Sequence, residues 1–274
     1  MTAFDTWESY FYPETYNRAT GEGTLRNLFG ERDAGVLHEK EYARTRRRQQ
    51  EIRDRRVDIP RTFDAAHLKA LHRHVFQDVF EWAGAYRTVE IYKGSPRGFA
   101  SAKTGEIERY LSDVHTMVTG ADWARMDHAA FSAASAHVFA WTNQAHPFRE
   151  GNGRSSKLLM EHVSELSPFR FEWERVDVDR WNEASMLSGP DMFAYEPHPE
   201  ELYQVFQTVA VGREQQAPGQ LSDELEQLRS LTRTSYPRSA AEAAKDPQCG
   251  GSGSGTASRD QYGAHRGLGD GMGR

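Results

Sequence analysis

An all-α fold, a helical bundle around one central buried helix with a single small β-hairpin, is predicted by three features of the sequence. Apolar residues recur at helical spacing in most segments between residues 33 and 211. One of these segments, residues 127–142, is apolar on nearly every face (Ala129, Ala130, Phe131, Ala133, Ala134, Ala136, Val138, Phe139, Ala140, Trp141) and so belongs at the centre of a bundle. Only residues 86–100 alternate like a strand, with Val89 and Ile91 on one face and Thr88, Glu90 and Tyr92 on the other, around a turn at Gly94-Ser-Pro-Arg-Gly98.

The first 30 residues are aromatic and turn-rich (Trp7, Tyr10, Phe11, Tyr12, Pro13, Tyr16). Asp33 then caps a predicted helix reaching about Arg53. Its apolar residues, Val36, Leu37, Tyr42 and Ile52, are sparse beside Arg44, Arg46, Arg47, Arg48, Arg53, Arg55 and Arg56. That pattern describes a solvated helix face, with docking of an acidic partner as the sharper alternative. A second helix, from Ala65 to about Val79, carries Leu68, Leu71, Val75 and Phe76 at helical spacing. His72 and His74 on it lie two apart, do not share a face and make a poor metal pair. Further helices are predicted over residues 103–118, 127–142, 154–166, 179–188 and 199–211.

Near residue 212 the composition shifts to Gln, Ser, Gly and charge, and nine of the 23 glycines lie between Gly250 and Gly273. The run Gly250-Gly-Ser-Gly-Ser-Gly-Thr-Ala-Ser reads as a flexible tail that buries too little apolar surface to offset its ordering entropy, with one short helical island between Leu221 and Leu231. The chain holds 34 Lys and Arg against 40 Asp and Glu, a formal charge of −6. No chain-wide basic field exists for nucleic acid or an anionic membrane, so neither is expected as a direct partner. The single cysteine, Cys249, excludes an intrachain disulfide and a thiolate metal site and implies a reducing compartment. No apolar run approaches the roughly 20 residues that span a bilayer. The start, Met1-Thr-Ala-Phe-Asp-Thr-Trp-Glu, lacks the basic region and apolar stretch of a secretory signal. A cytoplasmic protein is expected, although an effector exported by another route has the same appearance.

Directly after the buried helix comes His146-Pro-Phe-Arg-Glu-Gly-Asn-Gly-Arg154, then Ser155-Ser156-Lys157 and the apolar Leu158-Leu159-Met160. A loop that enters a helix at Gly151-Asn152-Gly153 presents unpaired backbone N–H groups and a positive dipole end to one spot, where phosphate is the natural occupant. Glu150 offers a hard oxygen ligand there, suited to Mg²⁺ held jointly by one carboxylate and substrate phosphates. Arg154 and Lys157, three apart, are expected on one face, neutralising phosphate charge. His146, with an ordinary pKa of about 6.5, takes a proton from an incoming hydroxyl near neutral pH. Because it precedes Pro147, it is expected to be extended and outside the helix. Phe148 is expected to point inward as the anchor of the loop. A capping corner between two helices is the plain alternative, but base, metal ligand, phosphate nest and cations in this order favour chemistry.

The run from His146 to Arg154 resembles the signature H-P-F-x-[D/E]-G-N-G-R-x-x-R of Fic domains, matched throughout except for Lys157 at the last position. Val75-Phe-Gln-Asp-Val-Phe-Glu-Trp-Ala-Gly84 with Tyr86-Arg87-Thr88 resembles the family's lead-in, and Ile91-Tyr92-Lys93-Gly94 its flap hairpin, so the likeness spans about residues 8–210. The resemblance implies a Fic-type helical bundle and transfer of AMP from ATP, with Mg²⁺, to a Ser, Thr or Tyr hydroxyl of a target protein. By position it makes His146 the general base, Phe148 the anchor and Glu150 the Mg²⁺ ligand. Gly151, Asn152 and Gly153 become the phosphate cradle, Arg154 a phosphate clamp, and Lys157 the stand-in for the arginine that grips the γ-phosphate. Tyr92, Lys93 and Gly94 would hold the target by strand addition. Asn182 and Trp181 are placed near the adenine, with plain core packing the alternative for Trp181.

The resemblance divides the chain into residues 1–60, an aromatic segment and Arg-rich helix packed on the core; residues 61–211, the catalytic core; and residues 212–274, the polar tail. The family's inhibitory pattern [S/T]-x-x-x-E-[G/N] is matched neither at Glu22-Gly23, where Arg18 stands at the Ser/Thr position, nor at Ser222 to Glu226, which Gln227 follows. A separate small antitoxin carrying the inhibitory Glu is therefore expected, with the chain as the toxin half of the pair. The ATPase subunits of gyrase or topoisomerase IV are the candidate targets. Two other functions stay open: phosphoryl transfer from the γ-position, as in the Doc-like branch, and nucleotide binding without turnover.

Overall fold

The structure is a computed structural model and describes residues 4–92 and 98–213. Seven α-helices occur among the described residues: α1 (Ala34–Arg53), α2 (Ala65–Phe76), α3 (Glu106–Gly120), α4 (His128–Ala145), α5 (Asn152–Ser164), α6 (Val178–Leu187) and α7 (Tyr203–Val209). Four of them begin with an Asp side chain accepting from a first-turn N–H: Asp33 from Val36, Asp64 from His67, Asp127 from Ala130 and Asp177 from Arg180.

Helix α4 is the centre of the bundle. It packs against α3, α5, α7 and a 3₁₀ turn at Pro199–Leu202. Phe131, Ala136, Val138, Phe139 and Ala140 are buried on it, and only its first turn, with Ala129 and Ala130, is exposed. Small residues let neighbours approach α4 from every side, which delivers its last residue, Ala145, to the interior.

Helix α1 departs from a merely solvated face. Its buried stripe is Leu37, Glu41, Thr45 and Ile52, half of it polar. Arg48 grips Asp78 with Nε and Nη2 at 2.8 and 2.9 Å, and Arg53 grips Glu161 with Nε and Nη2, both at 2.9 Å. Forked pairs of this kind supply the docking that a thin apolar stripe does not.

Two expectations are corrected. None of the described residues between 86 and 100 forms a strand. That segment closes through Phe99 N–H to Ile91 C=O at 3.1 Å, while Ala100 N–H goes to Gln144 C=O at 2.9 Å and Arg87 N–H to Pro147 C=O at 2.8 Å. The N–H groups of Arg87 and Ala100 are thus committed to the loop after α4 and to the end of α4 rather than to carbonyls across the segment. The two-stranded antiparallel sheet lies elsewhere, between β1 (Phe169–Phe171) and β2 (Ala210–Gly212), with Phe169 opposite Gly212 and Phe171 opposite Ala210. The predicted helix over residues 199–211 divides accordingly into the 3₁₀ turn, α7 and β2. Phe169 and Phe171 both stack on Phe131, at 5.0 and 5.2 Å, which holds β1 against the core where residues 210–212 pair with it. Lys93, Gly94 and the predicted island between Leu221 and Leu231 lie outside the described residues. No described helix is long and apolar enough to cross a membrane.

Candidate active site

Where α4 ends, His146 adopts a left-handed backbone, φ 37° and ψ 56°, rather than the extended one expected before proline. Its N–H still reaches Thr142 C=O at 3.4 Å, so the residue caps the helix and turns the chain sharply. A non-glycine residue in this region is strained and persists only where its surroundings over-determine it. Those surroundings are visible. Its Nδ1–H donates to Asn143 C=O at 3.3 Å, and its ring lies on Phe99, centroids 3.6 Å apart and planes 10° from parallel. A carbonyl only accepts, so this bond places a proton on Nδ1 and orients Nε2 away from the helix end.

Arg87, only 2% exposed, is the second restraint. Its Nε donates to His146 C=O at 2.8 Å, Nη1 to Val89 C=O at 2.8 Å, and Nη2 to Ala100 C=O. One guanidinium therefore joins the base to both arms of the segment that follows Tyr86. Sequence reading missed this role, because no spacing relates residue 87 to residue 146.

Phe148 is fully buried, and its ring lies 3.7 Å from that of His72, which in turn stacks on Phe76 at 4.6 Å. His72 Nδ1 accepts from Gly84 N–H at 2.8 Å, so Nε2 carries the proton and donates to Glu150 C=O at 3.0 Å. Burial pushes its pKa down to about 3 and keeps it neutral. His72 is thus a strut beneath the loop rather than a metal ligand. Its sequence signal was its place among Leu68, Leu71, Val75 and Phe76, a core face.

Asn152 closes the loop on itself: its side-chain oxygen accepts from Phe148 N–H at 2.9 Å and its amide donates to Phe148 C=O at 2.7 Å. Both bonds are spent on the backbone, so the side chain shapes the cradle. Gly151 has φ +83°, and a Cβ there would stand 2.2 Å from Phe76 Cζ. Glycine is required at this position on both counts. Arg149 turns the opposite way, its guanidinium 3.9 Å from the centre of the Trp7 ring, and so ties the N-terminal aromatic segment to the loop.

The other pole of the site is the start of α5. The N–H groups of Asn152, Gly153 and Arg154 have no backbone acceptor among the described residues, and a Cβ on Gly153 would meet nothing within 4 Å. This is an open, positively polarised helix end. Glu150, its side chain 45% exposed, accepts from Gly151 N–H at 3.0 Å. No three His, Cys, Asp or Glu side chains among the described residues come together to hold a metal. A single half-exposed carboxylate beside a phosphate nest fits a cation held mainly by phosphate oxygens and water.

Arg154 and Lys157 diverge, contrary to the shared face expected of them. Arg154 Nη2 donates to Glu41 at 2.5 Å and lies 3.8 Å from Glu150, with its guanidinium 4.6 Å from the Phe76 ring centre. The Lys157 ammonium instead sits over Trp181 at 4.4 Å and Trp173 at 5.3 Å, and burial there lowers its pKa.

A cavity of about 490 Å³ opens between these parts, lined by Phe99, Asn143, His146, Gly153, Trp181 and Asn182 among others. Trp181 does both things expected of it: 9% exposed, it packs edge-on against Phe139 at 4.9 Å and also forms cavity wall. Asn182 is exposed at the rim. Tyr92, 64% exposed, lies on the described edge of the flap segment. The cleft thus joins the oriented imidazole of His146, the open N-terminus of α5 and the cavity beside Trp181.

Residues 62–164 match the Fic/DOC family. The chain is 31% identical over 182 residues to the protein adenylyltransferase VbhT of Bartonella schoenbuchensis, covering 66% of this chain and 36% of that protein. It is 28% identical over 189 residues to the probable protein adenylyltransferase Fic of Salmonella typhimurium, covering 65% of this chain and 82% of that one. The chain therefore spans about a third of the length of the first of these curated relatives. Among solved structures, the N-terminal Fic domain of a putative cell filamentation protein from Bartonella quintana, with bound ADP, aligns with TM-score 0.63 at 25% identity, covering 76% of this chain and 96% of that one. The BepC protein of Bartonella tribocorum, with bound AMPPNP, aligns with TM-score 0.64 at 22% identity over 78% of this chain and all of that one, a likeness of fold.

Proposed function

We propose that the chain is a protein adenylyltransferase, moving AMP from ATP to a hydroxyl side chain of another protein, a reading supported by the match of residues 62–164 to the Fic/DOC family. One observation carries this reading: His146, its Nδ1–H held by Asn143 C=O, and Gly153 at the open N-terminus of α5 line the same cavity. Relatives described as adenylyltransferases, and a Fic domain of like fold holding ADP, support it.

In this reading the phosphates lie on the N–H groups of residues 152–154, Glu150 is the residue that would hold Mg²⁺, which would neutralise phosphate charge, and the adenine occupies the chamber beside Trp181 and Asn182. A target hydroxyl attacks the α-phosphorus, and its proton passes to His146 Nε2. The new P–O bond forms as the bond to the bridging β-phosphate oxygen breaks, and diphosphate leaves. The target lies along the flap segment at Tyr92 and its neighbours, through main-chain contacts that tolerate varied side chains. A toxin role, with a separate antitoxin and a gyrase or topoisomerase IV subunit as target, extends this proposal.

The test incubates purified protein and Mg²⁺ with bacterial lysate and ATP labelled at either the α- or the γ-phosphate, with His146→Ala as control. Label from the α-position alone on a discrete band is expected. Label from the γ-position alone overturns the proposal in favour of phosphoryl transfer. The same assay on purified gyrase and topoisomerase IV subunits, with no labelled product on either, removes them as targets.

A further inference from the structure

Helix α1 buries two polar side chains one turn apart, Glu41 at 9% exposure and Thr45 at 0%. Both face Arg154, 113 and 109 residues away in the chain: Nη2 donates to Glu41 Oε1 at 2.5 Å and Nη1 to Thr45 Oγ1 at 3.1 Å. The Thr45 hydroxyl proton is directed to Tyr42 C=O at 3.4 Å, which leaves its lone pairs for the arginine. The flat face of the guanidinium rests on Phe76, the ring that also forces glycine at position 151. Arg154 is therefore held on one edge and one face before any ligand arrives.

We propose that Glu41, aided by Thr45, is the positioning residue that sets Arg154 for phosphate, so that α1 is a working part of the nucleotide site. The inference rests on the nucleotide reading above. Two of the five guanidinium N–H donors go to α1, and three remain for a phosphate oxygen. Rotamer freedom that an arginine loses on gripping an anion is here lost on folding, which strengthens binding. Burying a carboxylate on an otherwise thin helix stripe is costly unless it is paired, and Arg154 Nη2 is the partner it has. The same residues explain why α1, poor in apolar contacts, docks in a fixed rotation against α2 and α5.

The experiment uses the full chain with His146→Ala to stop turnover, and measures ATP and adenosine binding by calorimetry in Mg²⁺. Glu41→Ala is expected to weaken ATP roughly tenfold, the scale of a lost charge-assisted hydrogen bond, while leaving adenosine unchanged. Glu41→Gln, which keeps an acceptor, recovers part of the loss. Thr45→Val, close in volume, gives a smaller loss of the same kind and serves if Glu41→Ala fails to fold. Unchanged ATP affinity, equal loss of ATP and adenosine, or tighter ATP binding overturns the inference, the last by making Glu41 a mask over Arg154. A parent protein that binds neither ligand overturns the nucleotide reading and this inference with it.

Discussion

The imidazole of His146 lies flat against the ring of Phe99, centroids 3.6 Å apart and planes within 10° of each other. The N–H of Phe99 in turn reaches Ile91 C=O at 3.1 Å, so the ring that supports the base is itself tied to Ile91.

Replacing Phe99 by Ala is expected to lower kcat about tenfold, since the His146 imidazole loses the ring it rests on. Steady-state transfer assays with labelled ATP check this. Loss of His146 itself, as His146→Ala, is expected to cost about 10²–10⁴ in rate with nucleotide affinity retained.

Gly151 and Gly153, two residues apart, predict opposite outcomes. Gly151→Ala drives a Cβ to 2.2 Å from Phe76 at φ +83° and is expected to destabilise the fold by about 3 kcal/mol, read as a lowered Tm. Gly153→Ala meets nothing within 4 Å, so its Tm is expected to stay within a degree or two of the parent while ATP binding weakens, because the methyl fills space beside the helix end. Calorimetry and thermal melts on both variants separate the two effects.

Lys157 sits as a cation between Trp173 and Trp181 and has no fork for a terminal phosphate. Lys157→Arg is expected to raise the rate of AMP transfer severalfold. A variant no faster than the parent rejects the idea that the lysine limits phosphate alignment.

Acid is expected to unfold the protein through its buried histidines. His72 is held to about 3 by burial, and the stacked pair His67 and His162, Nε2 to Nδ1 at 2.8 Å, is held low by burial first, with repulsion from His162 and Arg61 adding for His67 and from Arg61 for His162. The unfolded chain binds these protons near pH 6.5 and the folded chain does not, so stability is full above that value and falls as pH drops toward the folded values. Each histidine contributes up to about 1.4 kcal/mol per pH unit inside that window. Melting curves from pH 7 to pH 4 should show a steep decline, lessened in His162→Gln if the pair is a source.

The strongest sequence signals were local ones. The chemistry-bearing run from His146 to Arg154 is contiguous, and the all-round apolar helix before it marks itself by composition, so both were legible without coordinates. The Asp33 cap was legible for the same reason, since a cap acts within three residues. The hairpin misled because alternation of Arg87 and Val89 inward with Thr88 outward arises equally from a loop whose carbonyls are gathered by one buried guanidinium.

The sequence by itself determined the order of groups along the site, the glycines at the start of α5 and the place of the buried helix, all of them consequences of neighbours in the chain. Only the tertiary structure decided that His72 supports Phe148 and Glu150, that Arg87 holds His146, and that Glu41 holds Arg154 while Lys157 turns to two tryptophans. Those contacts join residues 59 to 113 apart, or depend on which way a helix is rotated in its packing. A side chain's partner is set by the fold that brings the two together, and no local periodicity encodes it.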